Sequence, residues 1–204
     1  MMAMSVVLAT EDELSEAVGL RLLSEHDILI RTLSMKLHKG GSGYLRSHMD
    51  SWKQMAQRQI VILLTDLDTT TCPVLLLERW LGAGCACPDN LIFRIAEREV
   101  ESWLLADHIA LAQLMGKRIR LPPAPDSLND PKQFLLEQAK KSPRAIREDL
   151  VAEEGAIARQ GLGYNMRLVA WVETEWCPQR AAEHSPSLAR ARRALERAAR
   201  VGEL

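Results

Sequence analysis

Acidic residues follow three of the β-strands that the sequence predicts, and they are the residues best suited to chemistry in this chain. The run IVILLTDLD at 60–68 ends an apolar stretch in two aspartates, Asp66 and Asp68. Glu11 and Asp12 follow the run SVVLA. A third group follows NLIFRIA and consists of Glu97, Glu99 and Glu101. Because side chains at i and i+2 of an extended strand point the same way, we expect Asp66 and Asp68 to lie side by side.

Crowded carboxylates suggest a metal site. They repel each other, and a bound cation relieves the repulsion. Oxygen ligands in an incomplete shell suit Mg²⁺ or Mn²⁺, with water and a phosphate in the remaining positions. Two such ions can activate a water molecule and stabilise the leaving oxygen in phosphodiester cleavage. For each acidic cluster taken alone, the alternative is a helix N-cap or a solvated first helical turn.

The pattern of apolar residues predicts the elements that position these acids. Four apolar runs predict strands, at 5–9, 27–35, 60–66 and 90–96. Four helical patterns alternate with them, at 13–25, 44–57, 74–84 and 99–115. This order predicts an α/β fold with a mostly parallel four-stranded sheet covered by helices on both faces. The carboxyl ends of parallel strands meet at one edge, so the three acidic clusters should converge there.

The rest of the chain predicts a helical extension. Residues 1–116 form the predicted α/β core, and the proline-rich segment 117–131 is a loop or linker. Residues 132–204 form the extension packed on the core. Its helices are predicted at about 131–141, 143–154, 164–177 and 186–200. Ser185 and Pro186 are typical of a helix N-cap and first turn.

Composition bounds the class of protein. The chain has 204 residues, of which 47% are hydrophobic, and a formal net charge of −1, so any surface that attracts nucleic acid must be local. No signal peptide is indicated, and no apolar run approaches the roughly 20 residues that span a bilayer. We therefore expect a soluble, cytoplasmic protein. Four cysteines lack the spacing of a disulfide framework or a complete zinc site.

Basic residues are concentrated in a few segments. The glycine-rich stretch KLHKGGSGYLRSH at 36–48 could contact phosphates, and Lys117 is a further candidate. The candidate phosphate-binding residues are Lys36, Lys39, Arg46 and Lys117. The last predicted helix carries four arginines on one face, which is either a nucleic-acid-binding stripe or a solvated face. They are Arg190, Arg193, Arg197 and Arg200.

The acids resemble those of the Toprim domain of topoisomerases, primases and OLD-type nucleases. Toprim domains have a glutamate after the first strand and a DxD pair after the third. Glu11 corresponds to that glutamate, and Asp66 and Asp68 correspond to the pair. Four longer stretches resemble an uncharacterised Toprim-like family of small bacterial proteins, many encoded beside AAA or ABC-type ATPases. They are EREVESWLLAD at 97–107, DPKQFLLEQAKKS at 130–142, GLGYN at 161–165 and WCPQRAAEHSPSL at 176–188.

This resemblance implies a Toprim-like fold and a nuclease that depends on Mg²⁺ or Mn²⁺. Glu11, Asp66 and Asp68 would hold the ion, and Glu16 and Glu101 would support a second ion, with Glu101 among the catalytic acids. The implied partners are an AAA or ABC-type ATPase and nucleic acid, with DNA favoured and RNA left open, in a two-component system for defence against phages.

One departure from the Toprim pattern supports an alternative. Asp12 stands where Toprim domains usually have a glycine, and glycine lets a backbone approach a phosphate closely. A catalytically silent, Toprim-like binding module is therefore the main alternative. A phosphatase or nucleotide hydrolase acting on a small substrate is the further alternative.

Overall fold

The computed structural model of the protein describes residues 4–38, 40–82 and 84–202. A four-stranded sheet lies at its centre, and all of its paired strands are parallel. The strand order is β2-β1-β3-β4. The strands are β1 (Val6–Thr10), β2 (Leu33–His38), β3 (Ile60–Asp66) and β4 (Leu91–Ala96). The predicted α/β fold with a parallel four-stranded sheet is confirmed.

Helices cover both faces of the sheet. Those between the strands are α1 (Glu13–Leu23), α2 (Asp27–Arg31), α3 (Gly41–Ser47), α4 (Met49–Met55) and α5 (Pro73–Leu81). Those after β4 are α6 (Glu101–Ala106), α7 (His108–Met115), α8 (Pro131–Ala139), α9 (Arg144–Leu150), α10 (Tyr164–Thr174), α11 (Pro178–Ala182) and α12 (Pro186–Gly202). A short 3₁₀ helix occupies Pro125–Ser127. Among the described helices, none combines the length and the apolar character that a membrane span requires.

The continuous apolar run of β3 is explained by burial on both faces of the sheet. Ile62 and Leu64 belong to the hydrophobic cluster that includes α1 and helices of the C-terminal region. Val61 and Leu63 belong to the cluster that includes residues of α3, α4 and α5. A strand that is buried on both sides needs apolar residues at every position, so its sequence does not alternate.

The prediction of one strand over 27–35 is wrong in its first part. Residues 27–31 form α2, and β2 begins only at Leu33, which pairs with Val6. The alternating isoleucines of this run suggest a strand, but a helix also buries them, because Ile28 and Ile30 pack against the same cluster as the buried Leu29. Tertiary packing therefore overrides a weak local preference.

The prediction of one helix over 99–115 is also wrong, because Asp107 interrupts it. Asp107 has ψ of 81°, and its carboxylate accepts the backbone N–H of Ala110 at the start of α7. The carboxylate is fully buried and also accepts two hydrogen bonds from the Arg180 guanidinium, at 2.9 and 2.7 Å. This ion pair joins the break between α6 and α7 to α11.

The helical C-terminal region shares one hydrophobic cluster with the sheet. Trp103, Trp171 and Trp176 are all buried within it, as their apolar surroundings in the sequence predict. The proline-rich segment is tied to the last helix, because Asp126 accepts the hydroxyl of Ser185 and the backbone N–H of Ser187. Ser185 in turn accepts the N–H of Leu188, so its predicted N-cap role is confirmed.

Candidate active site

Glu11 and Asp66 meet where the order of the strands reverses. β1 and β3 are neighbours, yet the chain continues from β1 to β2 on one side and from β3 to β4 on the other. In open α/β sheets, ligands bind outside the carboxyl ends of the strands at such a point. The Glu11 carboxylate accepts the Thr65 hydroxyl and, at 2.9 Å, the backbone N–H of Asp66. Both acids therefore lie at the same end of the sheet, as the sequence predicts.

Asp68 follows β3 in a left-handed backbone conformation, with φ of 50°. Its N–H donates to the carbonyl of Arg98 at 2.8 Å, and the Arg98 guanidinium donates to the carbonyl of Asp68 at 3.0 Å. Aspartate is among the non-glycine residues that tolerate this conformation best. The expectation that Asp66 and Asp68 continue one extended strand is therefore wrong, because the chain turns at Asp68. The two aspartates nevertheless line one pocket.

The acids at this edge repel one another. Burial, followed by the negative charges of Glu11, Glu101 and Asp68, raises the pKa of Asp66 well above its ordinary value. Burial also raises the pKa of Glu11, and the hydrogen bonds from Thr65 and Asp66 only partly oppose this effect. The cluster is therefore held together by the fold against its own repulsion, and a cation would relieve that repulsion.

Glu101 is fixed by two residues of the C-terminal region. Its carboxylate is 2% exposed, accepts the Tyr164 hydroxyl at 2.8 Å and lies 3.2 Å from the Lys132 ammonium. The backbone N–H of Lys132 donates to Glu99 at 2.9 Å. Burial would lower the pKa of Lys132, but the charge of Glu101 raises it above the ordinary value. Glu101 thus reaches the acidic edge with its own charge already balanced.

The Glu16 carboxylate contacts two side chains of β2. Its carboxylate lies 3.0 Å from the Lys36 ammonium and 2.7 Å from Nδ1 of His38. Burial would raise the pKa of Glu16, but the hydrogen bonds from His38 and Lys36 lower it below the ordinary value. Two residues predicted to contact a metal and a phosphate, Glu16 and Lys36, therefore contact each other.

Two exposed arginines share a pocket with the aspartates. The pocket has a volume of about 220 Å³, and Asp66 and Asp68 line it together with Arg46 and Arg79. Within the described ranges, neither arginine forms an ion pair with a carboxylate. Arg46 belongs to the glycine-rich segment, which also touches β1, because the N–H of Gly41 donates to the carbonyl of Glu11 at 3.3 Å. The pocket thus combines acidic and basic groups, as a site for a metal-bound phosphate requires.

Neither Lys36 nor Lys117 lines this pocket. Lys117 lines a separate pocket with Arg118 and Lys141. Lys39 lies outside the described residues. Of the three basic candidates that the structure describes, it brings only Arg46 to the aspartates.

Asp12 has a structural role at this edge. Its carboxylate accepts the backbone N–H of Ser15 at 2.8 Å, so it caps α1. An aspartate at the position where Toprim domains usually have glycine is therefore explained by helix capping. It also adds a negative charge that raises the pKa of Asp66.

The side-chain oxygens of Glu11, Asp66 and Asp68 are the ligand type that Mg²⁺ and Mn²⁺ prefer. Glu11 commits one oxygen, Oε1, to β3. The donor chemistry and the mutual repulsion of the acids therefore fit a divalent cation. This fit concerns the type and charge of the ligands, because in the described part of the chain no three or more His, Cys, Asp or Glu side chains are already arranged around one ion position.

Sequence reasoning missed three residues of this region: Arg79, Lys132 and Tyr164. The sequence gives a reason to examine Lys132, which follows Pro131 in the first turn of a helix. A positive charge at that end of a helix is unfavourable, so a nearby acid is expected to balance it. No such reason exists for Tyr164, since its partner Glu101 lies 63 positions away, and no local pattern places Arg79 beside the aspartates. Their roles depend on how the helices pack.

Comparisons of the chain with protein-family models, with curated proteins and with solved structures found no match. The Toprim-like assignment therefore stays a prediction. It rests on Glu11, Asp66, Asp68 and the longer stretches quoted above.

Proposed function

We propose that the protein is a phosphodiesterase that depends on Mg²⁺ or Mn²⁺ and cleaves nucleic acid, with DNA as its substrate. The observation that supports this proposal is the convergence of Glu11, Asp66 and Asp68 beside two basic side chains at the switch point of the sheet. A bound cation would relieve the repulsion between these acids. The neighbouring arginines would bind the phosphate of a substrate through their guanidinium groups.

The chain's own residues have distinct tasks in this proposal. Glu11, Asp66 and Asp68 would hold the ion, and Thr65 and the Asp66 N–H fix the orientation of Glu11. Arg46 and Arg79 would bind the non-bridging oxygens of the scissile phosphate. When bound, the ion would lower the pKa of a water molecule and neutralise charge on the phosphate.

Glu101 would serve as a supporting acid. It adds negative charge next to Asp66, while Lys132 and Tyr164 hold its carboxylate in place. Glu16 would support a second ion only if that ion displaced Lys36 and His38 from its carboxylate. This cost favours a single ion as the minimal site.

The resemblance to Toprim-like proteins encoded beside ATPases adds the partner and the context. In this proposal an AAA or ABC-type ATPase regulates the nuclease, and the pair acts in cytoplasmic defence against phages. Asp12 at the usual glycine position favours the alternative of a catalytically silent binding module, because its cap on α1 occupies a backbone turn that could otherwise approach a phosphate. A phosphatase or nucleotide hydrolase would use the same acids.

The experiment compares cleavage of plasmid DNA, single-stranded DNA and RNA by the parent and by Asp66→Asn. Reactions contain Mg²⁺ or Mn²⁺, and a parallel series adds any neighbouring ATPase with ATP. We expect divalent-dependent cleavage that falls by several orders of magnitude in Asp66→Asn, because metal activation of water contributes that much. Asp50→Asn is the matched control, since the Asp50 side chain is fully exposed on α4.

Three outcomes distinguish the candidate functions. A parent that cuts none of these substrates and shows no melting shift with either ion would support the silent module. A parent that hydrolyses only nucleotides or phosphomonoesters would support the small-substrate alternative. Equal cleavage by the parent and Asp66→Asn would place the chemistry elsewhere.

A further inference from the structure

A groove runs between the edge strand β4 and α12, and an arginine lies at its centre. Arg94 is on the face of β4 where the residues two positions away, Ile92 and Ala96, pack into the hydrophobic cluster. It therefore occupies a core-facing position at the edge of the sheet. A half-buried charge at such a position needs a compensating interaction.

The residues around Arg94 add positive charge. Arg190 and Arg197 lie on α12, seven residues apart, which is about 10 Å along a helix axis. Arg94 lines two cavities, one of about 620 Å³ with Arg197 and one of about 170 Å³ with Arg190. Burial, together with the charges of Arg197 and Arg190, lowers the pKa of Arg94.

Two carboxylates lie near these three arginines: Asp89 lines the larger cavity, and Glu97 lies beside Arg190. Among the described residues, neither Arg94 nor Arg197 lies within ion-pair distance of a carboxylate, and Arg190 lies 3.8 Å from Glu97. The Nε of Arg94 donates to the carbonyl of Phe93 at 2.6 Å. An inward-pointing charge alone would protect a sheet edge from pairing with another strand. Protection of the sheet edge does not require Arg190 and Arg197, which line the groove from α12.

We propose that the groove bounded by Arg94, Arg190 and Arg197 binds the phosphodiester backbone of a nucleic acid. Guanidinium groups bind phosphate oxygens through paired N–H donors, and a row of them follows a backbone without reading its sequence. The inference rests on the proposed function, because it supplies a path by which the substrate reaches the acidic edge.

The groove is continuous with that edge. Asp66 pairs with Ala96 in the register of the sheet, and Glu97, which contacts Arg190, is the next residue after Ala96. A strand lying along the arginines would therefore leave the groove beside Asp66. This continuity favours nucleic acid over an acidic peptide, which would have no reason to approach the carboxylates.

Binding can be measured separately from cleavage. Fluorescence anisotropy with short labelled oligonucleotides in EDTA, as single-stranded DNA, single-stranded RNA and duplex DNA, gives affinities over a range of salt concentrations. We expect Arg190→Gln and Arg197→Gln each to weaken binding about fivefold and to reduce the salt dependence of log K by about 0.7–0.9. Arg94→Gln should have a similar effect. Arg193→Gln is the matched control, because it removes the same charge from a residue of α12 that lines a different pocket, with Arg192 and Glu196.

The outcomes separate this inference from the proposed function. Loss of affinity in the groove variants with little change in Arg193→Gln supports it, even if the parent cleaves nothing. Unchanged affinity in Arg190→Gln and Arg197→Gln, both at exposed positions, overturns it, even if the parent cleaves DNA. If Arg94→Gln fails to fold, these two variants carry the test. Binding of poly-glutamate without binding of any oligonucleotide also overturns it.

Discussion

The carboxylate of Glu11 accepts the backbone N–H of Asp66 at 2.9 Å, although the two residues are 55 positions apart. This hydrogen bond joins the ends of β1 and β3 and brings two like charges together. Folding therefore works against electrostatic repulsion at this edge. The stability of the protein should depend on whatever neutralises the acids, whether protons or a cation.

In EDTA, the protein should become less stable as the pH rises above 3.8, the ordinary pKa of an aspartate. The pKa of Asp66 lies well above 3.8 in the folded protein, so the folded state holds a proton that the unfolded state has lost. Stability then falls with rising pH by up to about 1.4 kcal/mol per unit. Urea unfolding at each pH should show this slope in the parent and a smaller one in Asp66→Asn, where the raised pKa values of Glu11 and Glu99 still contribute. Asp50→Asn should keep the parental slope; an unchanged slope in Asp66→Asn contradicts the expected repulsion.

Mg²⁺ should raise the melting temperature of the parent but not that of Asp68→Asn. At ten times its dissociation constant, a bound ion stabilises the folded state by about 1.4 kcal/mol, which is about 4 °C for a protein of this size. Asparagine keeps the tolerance for a left-handed backbone that this position needs. Differential scanning fluorimetry with and without Mg²⁺ measures the shift, and an equal shift in both proteins would place the ion elsewhere.

The sequence alone suggests that Asp68→Ala is as stable as the parent without metal, since the change relieves repulsion. The left-handed conformation at Asp68 alters that expectation. Alanine at φ of 50° costs about 1–2 kcal/mol, which offsets the relief. Without metal, Asp68→Ala should therefore melt below Asp68→Asn.

Lys132 should stabilise the protein mainly by balancing Glu101. Lys132→Met leaves a carboxylate that is 2% exposed with only the Tyr164 hydroxyl as a partner. Because the Lys132 side chain is 35% exposed, water screens part of the loss, and we expect about 2 kcal/mol of destabilisation. The double variant with Glu101→Gln should recover at least half of it. Urea unfolding of the double-mutant cycle checks this, and strictly additive effects would show that the pair is not coupled.

The sequence predicts an element well where its local pattern of apolar residues fits only one type of secondary structure. IVILLTD is apolar at every position, and only a strand buried on both faces needs that. DILIR fits a strand or a helix equally, and the packing of Leu29 decides between them. The break at Asp107 depends on Arg180, 73 residues away, so no local pattern reveals it.

In the candidate site too, the features that depend on distant packing could not be predicted from the sequence. Parallel strands bring Glu11 and Asp66 to one edge by topology, so their meeting can be predicted from strand order alone. The partners of Glu101 come from α8 and α10, and only the packing of those helices shows that its charge is balanced. The resemblance to Toprim nucleases predicts Glu16 as a metal ligand, whereas the residues that its carboxylate contacts are on β2.

Thr65 should act as a positioning residue for Glu11. Its hydroxyl donates to the oxygen of Glu11 that also accepts the Asp66 N–H, and its side chain is 1% exposed at the end of β3. Thr65→Val keeps the shape and removes one of the two donors to Glu11 Oε1, so the carboxylate is held less firmly and its pKa should rise further. We expect Mg²⁺ affinity to fall about tenfold, the value typical for loss of a residue that orients a metal ligand. Thr65→Ser keeps the hydroxyl and should retain the parental affinity. Isothermal titration with Mg²⁺ measures the difference, and far-ultraviolet circular dichroism confirms that each variant folds. Equal Mg²⁺ affinity in Thr65→Val and Thr65→Ser would show that the hydroxyl does not position Glu11 for the ion.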